Sequence, residues 1–191
     1  AYSTGIYISG TSFAGGITNA GLIQSTNNTG INISNTSFTG GINNSGTISS
    51  YSPAIYISNT SFDGGITNSG LIESFSSNTG IYVGNTTFTG GINNTSTGTI
   101  SGDQGIYIDN TTFAGGVTNA GVVEGTTNTG IYIGSTTFTG GVNNSGTITA
   151  LSDTALEISV SSFEGGVTNS GLIDGGSSGV SISADTFTGG F

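Results

Sequence analysis

The phrase Phe-x-Gly-Gly recurs along this chain at intervals of 24–26 residues. A fixed period of about 20–50 residues is the sequence signature of a repeat architecture, in which one structural unit is stacked on copies of itself. We therefore expect one unit to be repeated about eight times, with the phenylalanines as a core column. The members of this column are Phe13, Phe38, Phe62, Phe88, Phe113, Phe138, Phe163 and Phe187.

A single repeat, residues 5–29, contains three short strand-like runs separated by Gly, Asn, Ser and Thr. In its first run, GIYIS, the two-residue period of a strand puts Ile6 and Ile8 on one face and Tyr7 on the other. No apolar stripe with the 3.6-residue period of a helix is present. The pattern predicts an all-β fold, a single-chain parallel β-helix (β-solenoid) of about eight coils of ~25 residues with three short strands per coil.

The alternative fold is a β-sandwich or propeller. Its hairpins would favour Asn-Gly turns, and the chain contains no Asn-Gly dipeptide. We expect one continuous solenoid over residues 1–191. The predicted repeats lie near 5–29, 30–54, 55–79, 80–104, 105–129, 130–154, 155–178 and, as a partial copy, 179–191.

Charge limits the function classes. The chain has ten Asp and Glu and no Lys, Arg, His or Cys, so neither side-chain salt bridges nor thiolate metal sites can form. An acidic surface repels phosphate, and no apolar run approaches the roughly 18 residues of a membrane span. We therefore expect no nucleic-acid binding and no membrane insertion.

The acidic residues do not suggest a metal site or an active site. Glu73, Glu124 and Asp174 share one column, but they fall in alternate coils, about 9.6 Å apart at the spacing of β-strands. Two such carboxylates cannot chelate one calcium ion, whose ligands lie at about 2.3–2.6 Å. We expect no cofactor, no metal and no enzymatic activity.

One column of the repeat is always asparagine. Stacked side-chain amides can hydrogen-bond along such a column, and asparagine tolerates the left-handed backbone of a turn, so we expect a structural ladder. Its members are Asn19, Asn44, Asn68, Asn94, Asn119, Asn144 and Asn169. A second, partial ladder runs through Asn35, Asn59, Asn85 and Asn110, several of them in Asn-x-Ser/Thr strings that could accept glycans.

Five tyrosines share the outward position between two inward aliphatic residues. They are Tyr7, Tyr56, Tyr82, Tyr107 and Tyr132, which we call the tyrosine stripe. Strand propensity and stacking between coils account for such a column without any ligand. Exposed apolar surface also marks contact sites, so the stripe is a candidate surface for lateral self-association or for sugar rings.

Threonine and serine form two adjacent columns, for example Thr36 beside Ser37 and Thr111 beside Thr112. Threonine arrays on solenoids suggest ice binding as a minor alternative. Adjacent residues of a strand point to opposite faces, however, whereas a flat ice-binding array needs two outward columns.

Odd and even copies differ, as ITNAGLI and INNSGTI show, so the underlying repeat is a cassette of two coils. One copy departs from the pattern: NNTSTGT at 93–99 has two extra residues, which we expect to bulge at a turn.

The strings GGITNSGLI, GGINNSGTI and GGVNNSGTI, each followed by a GIYI-type strand, resemble the repeats of bacterial autotransporter passengers and giant surface adhesins. The resemblance covers nearly the whole chain. It implies secretion, a right-handed parallel β-helix and a stalk or adhesive role on the cell surface. Those repeats share no catalytic motif, so no functional residue carries over.

These observations lead to two hypotheses about function. The first is a non-enzymatic extracellular structural protein whose solenoids self-associate end to end into a microbial surface fibre, because uncapped solenoid ends template further strands. The alternative is the stalk of an adhesin that contacts host or matrix glycans through the tyrosine stripe. The chain begins and ends in mid-repeat, which favours a processed product or a segment of a longer protein.

Overall fold

The computed structural model describes residues 3–58, 61–84 and 87–191. These residues form a parallel β-solenoid of about seven turns, with three strands per turn and the first strand of an eighth coil. The described residues contain no helix, and therefore none long and apolar enough to cross a membrane. The predicted all-β solenoid is confirmed.

Twenty-four strands, numbered in chain order, build three parallel sheets in the described residues. The first sheet contains β1 (Ile6–Phe13), β4 (Ile31–Phe38), β7 (Ile55–Ile57), β8 (Ser61–Phe62), β11 (Ile81–Val83), β12 (Thr87–Phe88), β15 (Ile106–Phe113), β18 (Ile131–Phe138), β21 (Thr154–Phe163) and β24 (Ser178–Phe187). The second contains β2 (Ile17–Asn19), β5 (Ile42–Asn44), β9 (Ile66–Asn68), β13 (Ile92–Asn94), β16 (Val117–Asn119), β19 (Val142–Asn144) and β22 (Val167–Asn169). The third contains β3 (Leu22–Ser25), β6 (Thr47–Ser50), β10 (Leu71–Ser74), β14 (Thr99–Gly102), β17 (Val122–Gly125), β20 (Thr147–Ala150) and β23 (Leu172–Gly175).

Equivalent residues of successive coils pair with one another in all three sheets. Phe13 is the ladder partner of Phe38, Asn19 of Asn44, and Ile23 of Ile48. A parallel ladder sets neighbouring strands about 4.8 Å apart. Each column of the sequence is therefore a row of like side chains running along the axis of the solenoid.

The phenylalanine column lies in the core. All its members from Phe38 to Phe163 are fully buried, and neighbouring rings mostly stack with centroids 4.9–5.3 Å apart. Phe62 and Phe88 instead meet edge to face, at 5.2 Å and 68°. Phe187 is 42% exposed because it belongs to the last coil of the stack.

Close contact between coils explains the first glycine of the Phe-x-Gly-Gly phrase. A Cβ on Gly40 would overlap the carbonyl oxygen of Gly15, and a Cβ on Gly115 would overlap that of Gly90. The turns between the first and second sheets thus pack backbone against backbone, which only glycine allows. The Phe-x-Gly-Gly phrase combines a core side chain with a close approach of two coils.

The expectation that adjacent threonine and serine columns face opposite ways is wrong. Asn35 pairs with Gly10 and Ser37 with Ser12, but Thr36 has no ladder partner. Because Thr36 is left out of the ladder, the alternation of inward-facing and outward-facing side chains shifts by one residue at this point. Thr36 is therefore exposed and Ser37 half-buried. Both columns thus lie where the ladder is interrupted and do not form two regular outward columns of one strand. The corresponding Thr60 and Thr86 lie outside the described residues.

The irregular repeat keeps its register. Thr99 still pairs with Leu71 and Val122, while Ser96 and Thr97 are exposed. The Gly98 amide donates to the Thr95 carbonyl at 2.9 Å and closes a tight loop. The two extra residues therefore bulge at a turn, as the sequence predicts.

Candidate functional site

The tyrosine stripe runs along the outer face of the first sheet. The rings of Tyr56, Tyr82, Tyr107 and Tyr132 stack with centroids 4.8–5.4 Å apart and interplanar angles of 8–14°. All four are half-buried. Tyr7 is 62% exposed and separate from this stack, because Asn32 lies between it and Tyr56 in the ladder.

This stacking decides what the stripe can contact. A sugar ring binds an aromatic side chain through an open ring face, but each inner tyrosine has both faces covered by its neighbours. At the ends of the stack no further ring follows, since the ladder neighbour of Tyr56 is Asn32 and that of Tyr132 is Glu157. Elsewhere the stripe offers ring edges and hydroxyl groups, so it favours hydrogen-bonded contacts over sugar stacking.

Two glycines that the sequence analysis missed make room for the stack. A Cβ on Gly84 would come within 2.7 Å of Cε1 of Tyr82, and one on Gly134 within 2.6 Å of Cε1 of Tyr132. These rings therefore lean along the strand over the residue two positions later. The signal was present in the sequence, because the fourth and sixth copies read Tyr-Val-Gly and Tyr-Ile-Gly.

Burial changes the acidity of the stripe. Desolvation raises the pKa of Tyr82, Tyr107 and Tyr132, since it penalises the phenolate form. The negative charge of Asp109 raises all three pKa values further. The stripe therefore resists ionisation and remains a neutral strip on an acidic protein.

A shallow groove of about 510 Å³ runs beside the stripe, at the corner between the third and first sheets. Its lining carries no charged side chain and is formed by Thr29, Asn32, Ser52, Pro53, Tyr56, Asn78, Thr79, Gln104, Tyr82 and Tyr107. Amides, hydroxyls and ring edges can hydrogen-bond to a neutral, extended ligand.

The asparagine column forms a continuous directional ladder. In every step the Nδ2 group donates to Oδ1 of the asparagine in the next coil, at 2.8–2.9 Å. The members from Asn44 to Asn144 are fully buried. From Asn19 to Asn144 each Nδ2 also reaches two backbone carbonyls, as Asn94 does with Gly98 and Val122, whereas Asn169 at the end of the ladder reaches one. The ladder thus satisfies the polar groups of one whole corner of the solenoid.

The expected reason for asparagine at this column is partly wrong. No described residue other than glycine has a positive φ, so these asparagines do not adopt the left-handed conformation. Their amides, which both donate and accept, are what the position requires. In the second ladder, Asn35 and Asn110 are buried and face inward, whereas Asn59 and Asn85 lie outside the described residues.

Unequal turns create a notch on the third sheet that the column analysis did not reveal. The turn between β10 and β11 has six residues, 75–80, the turn between β14 and β15 has three, 103–105, and the turn between β17 and β18 has five, 126–130. The short middle turn leaves a recess of about 590 Å³. We call this recess the acidic notch; its lining includes Tyr51, Glu73, Ser74, Phe75, Ser101, Asp103, Glu124 and Thr126.

The carboxylates of the notch lie on three successive coils. Glu73 and Glu124 both face outward and flank Ser101 in the ladder, while Asp103 follows on the short turn of the coil between them. Asn128 Nδ2 donates to Oδ2 of Asp103 at 2.6 Å. Within the described ranges, no group of three or more Asp and Glu could hold a metal ion.

Comparison with protein families, with curated proteins and with solved structures gave no match for this chain.

Replacement of Asn94 by alanine tests the ladder. It leaves the buried Asn119 Oδ1 without its donor, while Asn68 Nδ2 loses one acceptor but keeps two backbone carbonyls. The bonds of Asn94 Nδ2 to the Gly98 and Val122 carbonyls are lost as well. At about 1–3 kcal/mol for the unpaired acceptor and about 1 kcal/mol for each other lost bond, we expect the free energy of unfolding to fall by about 3 kcal/mol or more, measured by urea titration. Asn169→Ala, at the exposed end of the ladder, is the control and should cost less than half as much. Equal losses would contradict a cooperative ladder.

Alkaline titration tests the burial of the stripe. The pKa of Tyr82 is raised in the folded state above its ordinary value of about 10, so the folded state holds this proton longer than the unfolded state. The stabilisation is complete below pH ~10 and is lost as pH rises through the folded-state pKa. We expect the difference in 295 nm absorbance between the wild type and Tyr82→Phe to titrate later than free tyrosine, and the unfolding temperature to fall over the same range.

Asp109→Asn is the matched variant for this titration. Because Asp109 contributes to the raised pKa values of Tyr107 and Tyr132 as well as Tyr82, the variant should shift stripe ionisation to lower pH. A Tyr82 signal that titrates with free tyrosine, or one that Asp109→Asn does not move, would contradict the described environment.

Proposed function

We propose that this chain is a non-enzymatic structural protein of the extracellular space, a solenoid unit that joins end to end with further copies in a microbial surface fibre. The observation that carries the proposal is the directional ladder of like residues. Because each coil donates to the next in the same sense, the upper face of a coil complements the lower face of any other.

The two ends of the stack offer the groups that such a joint needs. At one end Ile6, Ile8 and Phe13 are partly buried against the core, and no coil of the described residues lies beneath them. At the other end Val180, Ile182 and Ala184 of β24 are likewise only partly covered. Exposed solenoid ends of this kind pair readily with another strand.

A joint between two copies of these 191 residues would be imperfect. The eighth coil contributes β24 to the first sheet, whereas the second and third sheets end at β22 and β23. The joint would pair fewer strands than two neighbouring coils do inside the rod. We therefore expect assembly to depend on protein concentration.

Electrostatics works against side-by-side packing. With ten carboxylates and no cationic side chain, parallel rods repel each other unless dissolved ions screen the charge. The same composition disfavours catalysis, since the chain lacks His, Cys and Lys, the usual bases and nucleophiles besides carboxylates and hydroxyls. The extracellular location rests on the resemblance to surface adhesins.

A second candidate is the stalk of an adhesin that binds neutral glycans. The uncharged groove beside the tyrosine stripe favours it. Because the inner ring faces are covered, the ligand would lie in the groove, hydrogen-bonded to amides such as Asn78 and Gln104.

Electron microscopy of the purified chain at increasing concentration tests the fibre. We expect end-to-end fibres, with bundles that strengthen in salt or divalent cations and weaken in EDTA. Ile182→Asp puts a carboxylate on the inward side of β24, at the end of the stack, and should abolish the fibres. Ser183→Asp adds the same charge on the exposed side of that strand and should leave them intact.

Circular dichroism of Ile182→Asp establishes that the coils still fold. A rod that stays monomeric at every concentration would overturn the fibre proposal, and binding of that rod to neutral glycans would favour the stalk. Fibres that form equally well with Ile182→Asp would refute joining through the ends. Bundling that ignores both EDTA and ionic strength would contradict the electrostatic part of the account.

A further inference from the structure

We propose that the acidic notch on the third sheet is a docking site for an arginine-containing segment of another protein. This inference is independent of the fibre, because the notch lies on the side of the rod and not at its ends. It rests on the juxtaposition of Glu73, Asp103 and Glu124 with the exposed aromatic pair Tyr51 and Phe75.

The charge of the notch selects the occupant. The chain has no Lys, Arg or His, so neither its own side chains nor a second copy can neutralise these carboxylates. A neutral ligand would leave the charges without compensation, and an anionic ligand would be repelled. The complementary partner is therefore a cationic molecule other than this chain.

The spacing of the carboxylates favours an organic cation over a metal ion. Glu73 and Glu124 are two coils apart, about 9.6 Å along the axis, with Asp103 on the coil between. Calcium needs oxygens that converge at about 2.3–2.6 Å, and the acidic groups of the described residues do not converge in this way. A guanidinium presents five N–H donors in a planar fork, so one arginine can reach one carboxylate and a second arginine the next.

The aromatic pair Tyr51 and Phe75 forms an aromatic wall of the notch, and this wall favours arginine over other cations. Tyr51 and Phe75 are 51% and 49% exposed and meet edge to face at 6.2 Å. A guanidinium stacks on such rings as well as pairing with carboxylates, whereas an ammonium is a compact and strongly hydrated charge. The wall and the carboxylates together offer an arginine side chain both a flat apolar surface and charged acceptors.

Exposed apolar and acidic side chains also occur on the third sheet beyond the notch. Six exposed large apolar side chains lie on the third sheet or its following turn: Leu22, Tyr51, Phe75, Val122, Leu151 and Leu172. Asp174 occupies the outward column of Glu73 and Glu124 two coils further on. A partner segment that alternates arginine with apolar residues therefore finds complementary groups beyond the notch as well.

Titration calorimetry of the whole chain with a capped hexapeptide of alternating Arg and Leu tests the proposal. The control ligand replaces each arginine by citrulline, which keeps the shape and removes the charge. We expect the arginine peptide to bind with a stoichiometry of one at low salt and more weakly at 150 mM salt, and the citrulline peptide not to bind. A lysine version should bind several-fold more weakly, because it loses the stacking on the aromatic pair.

Two double variants separate a defined site from diffuse attraction to an acidic protein. Glu73→Gln with Glu124→Gln removes two charges from the notch and should weaken the peptide at least tenfold. Asp63→Asn with Glu164→Gln removes the same charge from the turns between the first and second sheets and should change the affinity less than twofold. Phe75→Ala should weaken the arginine peptide more than the lysine peptide.

Equal weakening by the two double variants would overturn the site, since it would reduce binding to net charge. Absence of arginine-peptide binding at low salt, or equal binding of the citrulline peptide, would also refute the proposal. Calcium binding that Glu73→Gln with Glu124→Gln abolishes, in the absence of peptide binding, would assign the notch to a metal ion instead.

Discussion

One axial spacing has to satisfy every interaction in this solenoid. Backbone ladders, the phenylalanine rings at about 5 Å, the asparagine amides at 2.8 Å and the glycine contacts all repeat with the rise of one coil. Because equivalent residues pair throughout, a change in one coil is felt by the coils above and below it. The solenoid tolerates extra residues only where they loop out of the strand ladder, as residues 95–98 do between β13 and β14.

The charged side chains lie outside the buried columns of the solenoid. The buried polar column is made of neutral amides, which both donate and accept and therefore propagate without a counter-ion. All ten ionisable carboxylates of the chain lack an internal cation, so any neutralisation comes from solution or from a partner. The result is a rod whose ends are apolar and amide-rich, and whose sides repel copies of themselves.

Equivalent positions of the repeats predict those features that depend only on one coil and on the coils on either side of it. The burial of Phe88 and the pairing of Asn94 could be predicted because every copy carries the same residue. The acidic notch could not, because it arises from differences in turn length between three copies rather than from a shared column. The phase shift at Thr36 depends on a residue left out of the ladder, and the covered faces of the tyrosine rings depend on side-chain rotamers; alternation alone encodes neither.

The central claim is that folding depends on register between equivalent residues, and a pair of deletions tests it most directly. Removal of residues 105–154 joins Gln104 to Ala155 and preserves every column, whereas removal of 105–141 joins Gln104 to Val142 and breaks them. Circular dichroism and small-angle X-ray scattering should find the first variant folded, as a rod shorter by about 9.6 Å, and the second unfolded or aggregated. Two variants that behave alike would contradict the account.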